Sequence, residues 1–547
     1  MFLLTLPLLG QAQITWTGAT NRDWSTAANW SSNSIPAPSD NVIIPGILVA
    51  SRQPIVDALY PPLAAVCNNL TINTGAVLII NSRKALTVSG NLINNGKISI
   101  KSDETGTGSL IVTLASSGSG VATAERWMET GKWNLVGSPV PGQTIADFLT
   151  KNANVATSGT NRGMGDYNPN TDVWFYSTVG NLVSGKGFCM RTNISSAVTF
   201  SGSILSGDQP IPVVADKWNC IGNPYTSAIQ IGGAAPDNFL TENGITHANI
   251  DPVSGIYVWE KDDSFNGVTG NYTAVSNATG EYQLQAGQAF FVKMNTGVNS
   301  VSFKPAMQIH SAELALKSTK GVWPTIKLVA SVNNLKSSTV IAFNGSMTKG
   351  LDPTYDAALF SGGADLAVYT RLVEDYGIPF AIQALPNDYK SMVIPVGIDV
   401  KTGGEVIFSA ELKNLSSECK VILEDKETKT FTDLTKGNYK AAIVANSSFS
   451  DRFQLHTSDL ISKLGNETLV GKLSAYAIRN TEIRVVGEVG NNAIARLYNL
   501  QGSVMQIENL KAGNLNVIAT ANIKNGIYML SVEDQGKIQT FKLLIRE

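Results

Sequence analysis

One pattern between residues 126 and 307 occurs twice, and it limits this region to a tandem of two similar modules. Trp133-Asn134-Leu135-Val136-Gly137 recurs as Trp218-Asn219-Cys220-Ile221-Gly222, at an offset of 85 residues. Three more segments recur in the same order: Phe148-Leu149-Thr150 as Phe239-Leu240-Thr241, Val173-Trp174 as Val258-Trp259, and Gly185 to Met190 as Gly287 to Val292. The order predicts a duplication whose units, 126–210 and 211–310, are β modules of about 90 to 100 residues.

The region before the duplication, residues 13–125, has the pattern of a short parallel β-helix. Runs such as Leu70-Thr71-Ile72 and Val77-Leu78-Ile79-Ile80 are separated by Asn, Gly and Ser. Asn-rich corners between stacked Ile, Leu and Val strands are typical of this architecture.

Three tryptophans, Trp16, Trp24 and Trp30, precede those strands. Two interpretations fit them. Their rings can close the open end of a β-helix, because Trp has a large apolar area to bury in a thin module, or they can form a platform for stacking sugar rings.

The remaining segments also predict strands, so the expected fold class is all-β with tandem small modules. About eight short apolar runs in residues 311–460 predict a β-sandwich. The last segment, 471–547, has short alternating runs joined by Gln501-Gly502, Asn525-Gly526 and Gln535-Gly536, which predicts an Ig-like antiparallel sandwich.

This last segment resembles the C-terminal sorting domain, type A, of the Bacteroidetes type IX secretion system. The resemblance is carried by Leu497-Tyr498-Asn499-Leu500-Gln501-Gly502, Asn525 to Leu530 and the terminal Phe541-Lys542-Leu543-Leu544-Ile545. It implies that residues 471–547 bind the type IX machinery, and that the protein crosses the periplasm to be released or attached at the outer surface.

The N-terminus and the composition agree with export. Phe2 to Leu9 followed by Gly10-Gln11-Ala12 resembles the end of a secretory signal, so residues 1–12 are interpreted as a signal-peptide remnant. No stretch is long enough to span a membrane. The net charge of −2 provides no basic field for nucleic acid.

Candidate sites are few. Trp16, Trp24, Trp30, Trp127, Trp174 and Trp259 are the side chains suited to stacking on sugars, although core packing is the favoured interpretation of the repeated ones. Asp166-x-Asn168-x-Asn170 resembles the start of a calcium loop, but Thr171 replaces the Gly and Ser177 the Glu of that motif. A turn containing Pro169 is the alternative, so we expect no cofactor and leave calcium open.

Other polar residues give weaker signals. Asp352, Asp356, Glu424 and Asp425 either line a site or are ordinary turn and surface carboxylates. Cys189 and Cys220 either form a disulfide or are buried thiols, and no metal-binding cysteine pair occurs among Cys67, Cys189, Cys220 and Cys419.

The function expected from these features is that of a surface adhesin or a structural or binding protein of the cell exterior, with glycan or host and matrix protein as partner. The three histidines, His247, His310 and His456, are far apart in the sequence, and no nucleophile or phosphate-loop motif occurs, so no catalytic residue is assigned. The alternative is a carbohydrate-active enzyme or its glycan-binding partner, because a pair of catalytic carboxylates leaves no spacing signature.

Overall fold

The structure is a computed structural model of the 547-residue chain. It describes residues 13–47, 52–57, 64–233, 235–260, 271–311, 323–360, 364–373, 377–387, 392–416, 419–458, 473–478, 482–499 and 501–545. The predicted signal segment 1–12, Leu500 and residues 471–472 lie outside the described part. The chain divides into two compact units, one built mainly from residues 1–454 and the other mainly from 455–547.

The N-terminal region is a three-sided parallel β-helix, as the sequence predicts. One face stacks β1, β2, β5, β8 and β13, a second stacks β3, β6, β9 and β14, and a third stacks β4, β7 and β12. Strands β10 and β11 form a hairpin inserted into the third coil. The bounds are β1 Gln13–Thr15, β2 Asn41–Ile44, β3 Ile55–Val56, β4 Ala65–Cys67, β5 Leu70–Ile72, β6 Val77–Ile80, β7 Ala85–Val88, β8 Leu92–Asn94, β9 Lys97–Ile100, β10 Ser102–Asp103, β11 Gly106–Thr107, β12 Ser109–Val112, β13 Ser116–Ser117 and β14 Val121–Met128.

Alternation along each short strand explains the coil. Leu70 and Ile72 point inward and are fully buried, as are Leu92 in the next coil and Ile44 in the preceding one. At one corner, asparagines form a ladder: Asn69 Nδ2 donates to Asn41 Oδ1 (2.7 Å), and the Asn91 amide donates to Asn69 Oδ1 (2.7 Å). The ladder satisfies corner amides that no strand pairing reaches.

Two modules with the same strand order follow the β-helix. The first sheet has the order β15-β20-β18-β19 and the second β23-β28-β25-β26, with antiparallel neighbours in both. This is the topology that a duplication predicts. The bounds are β15 Asn134–Gly137, α1 Ile145–Lys151, β16 Thr157–Ser158, β17 Asn161–Arg162, β18 Met164–Asn168, β19 Val173–Phe175, β20 Gly187–Met190, β21 Ser196–Gly202, β22 Gln209–Pro212, β23 Trp218–Gly222, β24 Ala228–Gly232, β25 Ile256–Glu260, β26 Asn271–Val275, β27 Tyr282–Leu284, β28 Ala289–Lys293, β29 Ser300–Phe303 and β30 Gln308–Ile309. Short 3₁₀ helices span Ala27–Asn29 and Pro305–Met307, and a π-helix spans Thr241–Thr246.

One of the four sequence matches is wrong. Val173-Trp174 lies on β19, the edge strand, whereas Val258-Trp259 lies on β25, the strand before the edge. By strand pairing, Trp259 corresponds to Tyr167, and Trp174 corresponds to Tyr272. Insertions in the second module enlarge the offset along the chain, so a match that keeps the initial offset of 85 joins residues that are not equivalent.

The β-helix and the first module share one core. Strand β14 pairs with β9 of the coil on one side and with β21 of the module on the other. Phe148 and Phe200 of the module lie in the same buried cluster as Ile100 and Leu110 of the coil. Apolar packing therefore continues across residue 125, where the sequence predicts a domain boundary.

The two modules meet at their repeated glycines. The Gly137 amide donates to the Gly287 carbonyl (3.2 Å), and the Gly222 amide donates to the Gly185 carbonyl (2.9 Å). Since Gly137 corresponds to Gly222 and Gly185 to Gly287, the contact is reciprocal, as in an interface between two copies. A Cβ on Gly137 would lie 2.6 Å from the Gly222 Cα, so neither position has room for a side chain.

A second repeated feature joins the helix of each module to its sheet. Asn152 donates to the Phe148 and Thr199 carbonyls (2.9 and 3.0 Å) and accepts from the Thr199 amide (2.7 Å). Asn243 makes the same three bonds with Phe239 and Ser302. The repeated motif is therefore Phe-Leu-Thr-x-Asn, which shares one more position between the two modules than the three-residue match.

The next region contains eleven strands in one continuous hydrogen-bonded sheet. Strand β34 is buried along its whole length, so both faces of the sheet are covered at that point. The bounds are β31 Thr325–Val332, β32 Leu335–Phe343, β33 Ala357–Ala358, β34 Leu366–Thr370, β35 Phe380–Leu385, β36 Met392–Val400, β37 Gly404–Lys413, β38 Lys420–Asp425, β39 Thr430–Asp433, β40 Tyr439–Ile443 and β41 Ser447–Ser458.

The C-terminal unit contains a small antiparallel sandwich with its own core. One sheet has the order β42-β43-β46 and the other β45-β44-β47-β48. Leu497, Leu530 and Ile545 are buried in its core. The bounds are β42 Ser474–Ile478, β43 Glu482–Val489, β44 Ile494–Asn499, β45 Val504–Asn509, β46 Gly513–Ala519, β47 Gly526–Asp534 and β48 Lys537–Ile545.

Candidate functional site

The three N-terminal tryptophans lie in the core of the β-helix. Trp16, Trp24 and Trp30 have at most 3% of their surface exposed. Trp30 packs edge-on against the other two, with ring centroids 4.9 and 4.7 Å apart. Because β1 pairs with β2 of the first coil, these rings lie at the N-terminal end of the stack. Rings buried to this extent leave no face on which a sugar can stack.

The three other tryptophans considered for sugar stacking are half-buried. Trp127 is on β14, which the coil and the first module share. Trp174 and Trp259 border an aromatic cluster between the modules, where Trp259 Nε1 donates to the Trp133 carbonyl (2.9 Å). None of the six lines the groove described next.

A groove of about 940 Å³ opens on the first module. We call it the Tyr176 groove, and it is lined by residues 129–133, 156–158, 161–163, Tyr176, 191–193 and Ser195. These residues come from the loop after β14, the β16–β17 hairpin, the segment after β19 and the segment after β20. All of them belong to one module, so the groove does not depend on a second chain.

Main-chain pairing holds these segments together. Thr192 forms isolated β-bridges with both Thr130 and Val155, which ties the segment after β20 to both neighbouring segments. The Thr130 hydroxyl donates to the Asn193 carbonyl (2.7 Å), and its amide donates to the Ser195 hydroxyl (3.1 Å). The groove is therefore built on a fixed backbone, which favours preorganised binding.

The apolar part of the groove is formed by two aromatic rings. Trp133 and Tyr176 have ring centroids 6.2 Å apart and planes inclined by 60°. Tyr176 is 49% exposed, whereas Trp133 is half-buried against the inter-module cluster. Burial, with the neighbouring Cys189 thiol, raises the pKa of the Tyr176 hydroxyl to about 12, so the phenol stays protonated and neutral at physiological pH.

The polar part of the groove contains three basic residues and one acidic residue. Lys132 Nζ is 2.6 Å from Glu129 Oε2, so these two charges compensate each other. Arg162 and Arg191 form no ion pair within the described part of the chain. Thr192 is 1% exposed, and its hydroxyl has no hydrogen-bond partner among the described residues.

The calcium-like segment forms a hairpin turn between β18 and β19. Asp166 Oδ2 is 2.6 Å from Lys186 Nζ, and Asn168 Oδ1 accepts the Asn170 amide (3.0 Å). Asp166 is thus paired with an ammonium group, which does not fit a role as a cation ligand. No group of three or more His, Cys, Asp or Glu suited to a metal occurs among the described residues.

Three of the four carboxylates of the eleven-stranded region take part in two separate networks. Asp356 accepts amide bonds from Asp352 and Ala384, both at 2.6 Å, and burial raises its pKa to about 7. Asp425 accepts from Arg452 at 3.0 and 2.6 Å, and these bonds lower its pKa despite burial. Glu424 is fully buried.

The four cysteines are free and buried thiols. Cys189 and Cys220 both belong to the aromatic cluster between the modules, where burial raises the pKa of Cys189 to about 11. Their position favours the packing interpretation over the disulfide.

Comparison with known families covers most of the chain. Residues 15–456 match the family model described as "Domain of unknown function (DUF8693)". The chain belongs to this family. Residues 479–546 match the model described as "Secretion system C-terminal sorting domain", so the tail of this DUF8693 protein is the type IX sorting domain that the sequence indicates. The protein is accordingly exported to the cell surface or secreted.

Other comparisons add little to this assignment. No match was found among curated proteins. A solved structure titled "Biofilm associated protein - BSP domain" is similar at 10% identity over 78% of this chain and 96% of that chain. Its TM-score of 0.17 is too low to support an argument about fold or function. No helix among the described residues is long and apolar enough to cross a bilayer.

Sequence reasoning did not single out the groove residues of this DUF8693 protein as a site. Tyr176 lies just after the short edge strand β19, and the aromatic run Trp174-Phe175-Tyr176 is its only sequence signal. Arg162 and Arg191 are 29 residues apart in the sequence, so only the fold brings them to one groove.

Proposed function

We propose that this DUF8693 protein is a surface adhesin that binds carbohydrate in the Tyr176 groove. The observation that supports the proposal is the pairing of Trp133 and Tyr176 with a rim of hydroxyl, amide and guanidinium groups. Sugars have an apolar C–H face and a polar edge, and binding sites for them combine an aromatic surface with a few placed polar groups.

The composition of the groove favours binding over hydrolysis. A glycosidase uses two carboxyl groups that flank the scissile bond. Glu129 is the single carboxylate among the described residues that line the groove, and Lys132 compensates its charge. A non-catalytic glycan-binding partner of an enzyme remains compatible with this arrangement, since it needs the same groove.

The test is a glycan array probed with the full chain, followed by affinity measurement with the best ligand. Tyr176→Ala removes an exposed ring from the groove and should weaken binding roughly tenfold, which corresponds to about 1.4 kcal/mol. Phe175→Ala is the matched control, because Phe175 is 64% exposed, adjacent in sequence and absent from the groove lining.

Two results would contradict the proposal. One is an array without any bound glycan, and the other is a Tyr176→Ala protein that binds as tightly as the Phe175→Ala protein. Host and matrix proteins printed on the same array test the alternative adhesin partner.

A further inference from the structure

We infer that the Tyr176 groove selects acidic polysaccharides, with Arg191 and Arg162 binding their carboxylate or sulfate groups. This inference rests on the proposed function, because it names the class of carbohydrate that the same groove takes. The inference concerns the charge of the bound carbohydrate. The aromatic rings do not select for that charge, whereas the basic residues of the groove do.

The first argument is the charge balance of the groove. The charges of Lys132 and Glu129 compensate each other. The guanidinium groups of Arg162 and Arg191 therefore give the groove an excess of two positive charges. The whole chain has the opposite balance, with 41 Lys and Arg against 43 Asp and Glu. The groove is therefore a local basic site on a slightly acidic protein, and such a site attracts anions.

The second argument is the contrast with two ion-paired arginines elsewhere in the chain. Arg452 pairs with Asp425 and Glu427, both at 2.6 Å, and Arg496 pairs with Glu533 at 2.7 Å. Within the described residues, Arg162 and Arg191 have no such partner. An arginine that no carboxylate of its own chain engages keeps its planar set of donors available for an external one.

The third argument is the position of these donors. A Cβ on Gly131 would lie 3.8 Å from Arg191 Nη2, so this guanidinium lies beside the groove-lining glycine. Arg162 Nη2 is 3.4 Å from the Asn152 and Val155 carbonyls, which anchor the side chain, while its buried Nε has no partner among the described residues. The Arg191 guanidinium therefore lies beside the groove lining. The Arg162 guanidinium is held by two main-chain carbonyls, and its Nε–H has no partner among the described residues.

The fourth argument is the Thr192 hydroxyl. It lines the groove directly after Arg191, is 1% exposed, and has no partner among the described residues. A buried hydroxyl without a partner costs free energy, which a ligand oxygen can recover by accepting its hydrogen bond. A carboxylate or sulfate offers several such oxygens, so it can bind Arg191 and Thr192 together.

The experiment compares charged and neutral forms of one polymer with the full chain. Polygalacturonate provides carboxylates, its carboxyl-reduced form provides the same backbone without charge, and dextran sulfate with dextran provides the sulfate pair. We expect each acidic polymer to bind at least tenfold more tightly than its neutral form, with the difference shrinking as salt rises. The stronger of the two acidic polymers identifies which anionic group the groove prefers.

Two variants test the residues. Arg191→Gln should lower affinity for the acidic polymer about tenfold, a larger loss than for its neutral form, because only the acidic polymer has an anionic group for the guanidinium to bind. Arg162→Gln provides a second test at the other cation, and Arg191→Lys should recover part of the loss, because it restores the charge without the planar donors. Arg22→Gln is the control, since Arg22 is an exposed arginine of the β-helix outside the groove. Circular dichroism checks that each variant is folded.

The outcomes separate the inference from the proposed function. Equal binding of charged and neutral polymers, or Arg191→Gln and Arg22→Gln proteins that bind alike, would overturn the inference and leave a carbohydrate site in place. Failure to bind any polymer or array glycan would overturn both. Tighter binding of single-stranded DNA than of either acidic polymer would overturn the inference by replacing the ligand class.

Discussion

The glycine contact between the two modules can be tested with one methyl group. Gly222→Ala would place a Cβ 2.7 Å from the Gly137 Cα, whereas carbon atoms in contact are ordinarily about 3.5–4.0 Å apart. Overpacking a core usually costs about 1–3 kcal/mol. The obstructing atom here is main chain, which cannot rotate away, so we expect a loss near the upper end, about 3 kcal/mol.

Tryptophan fluorescence during urea unfolding is the assay. Trp133, Trp174, Trp218 and Trp259 border the cluster between the modules, so their emission reports on this contact. A chain of several modules need not unfold in two states, so the measured quantity is the midpoint of the fluorescence transition. With a urea dependence of about 1–3 kcal/mol per molar, a loss of 3 kcal/mol lowers that midpoint by roughly 1 M or more.

The control and the double variant make the result specific. A Cβ on Gly437 would meet nothing within 4 Å, so Gly437→Ala should leave the midpoint unchanged. Gly137→Ala combined with Gly222→Ala should cost less than the sum of the two single changes, because both strain one contact. If Gly222→Ala unfolds at the same urea concentration as Gly437→Ala, the reciprocal glycine contact is wrong.

Three further predictions follow from the described contacts. Asn152→Ala and Asn243→Ala should each lower the free energy of unfolding by about 2–3 kcal/mol, because each leaves buried backbone groups unpaired. Urea unfolding measures both losses, and unequal losses would argue against equivalent roles of the two asparagines. Burial lowers the pKa of His310 from 6.5 to about 4 while its ring nitrogens contact the Thr87 and Ser109 hydroxyls. The unfolded chain therefore binds the extra proton between pH 6.5 and 4, so the contribution of His310 to stability should fall by up to about 3 kcal/mol as pH decreases through that window. The raised pKa of Asp356 acts in the opposite direction but equally in both proteins, so the measured quantity is the stability difference between the natural chain and His310→Gln, which should change by this amount between urea titrations at pH 7 and 4.5. Deletion of residues 471–547 should leave the protein in the periplasm, as measured by cell fractionation. Normal surface display of the truncated chain would contradict the role of the tail as an export signal.

Local sequence patterns were sufficient where each residue's environment repeats along the chain. The β-helix is an example, because its coils place apolar residues over apolar residues, and three successive coils place an Asn over an Asn at one corner, as Asn41, Asn69 and Asn91 do. The sorting domain is another, since its strand periodicity and turn residues are all within 75 residues of one another. The helices of the two modules were harder to predict. The repeat at Phe148 is visible in the sequence, whereas the hydrogen bonds that Asn152 makes to the sheet are not.

The chain's own residues thus determine that it is all-β, that two of its modules have the same strand order and that residues 479–546 form an export signal, because strand alternation and turn chemistry act over a few residues. Tertiary structure alone decides the rest. Burial separates the core rings Trp16, Trp24 and Trp30 from the half-exposed Tyr176, although all are aromatic residues in β-rich segments. The groove likewise depends on backbone bridges that bring Arg162 and Arg191 together, and contacts between residues so distant in sequence leave no local periodicity to read.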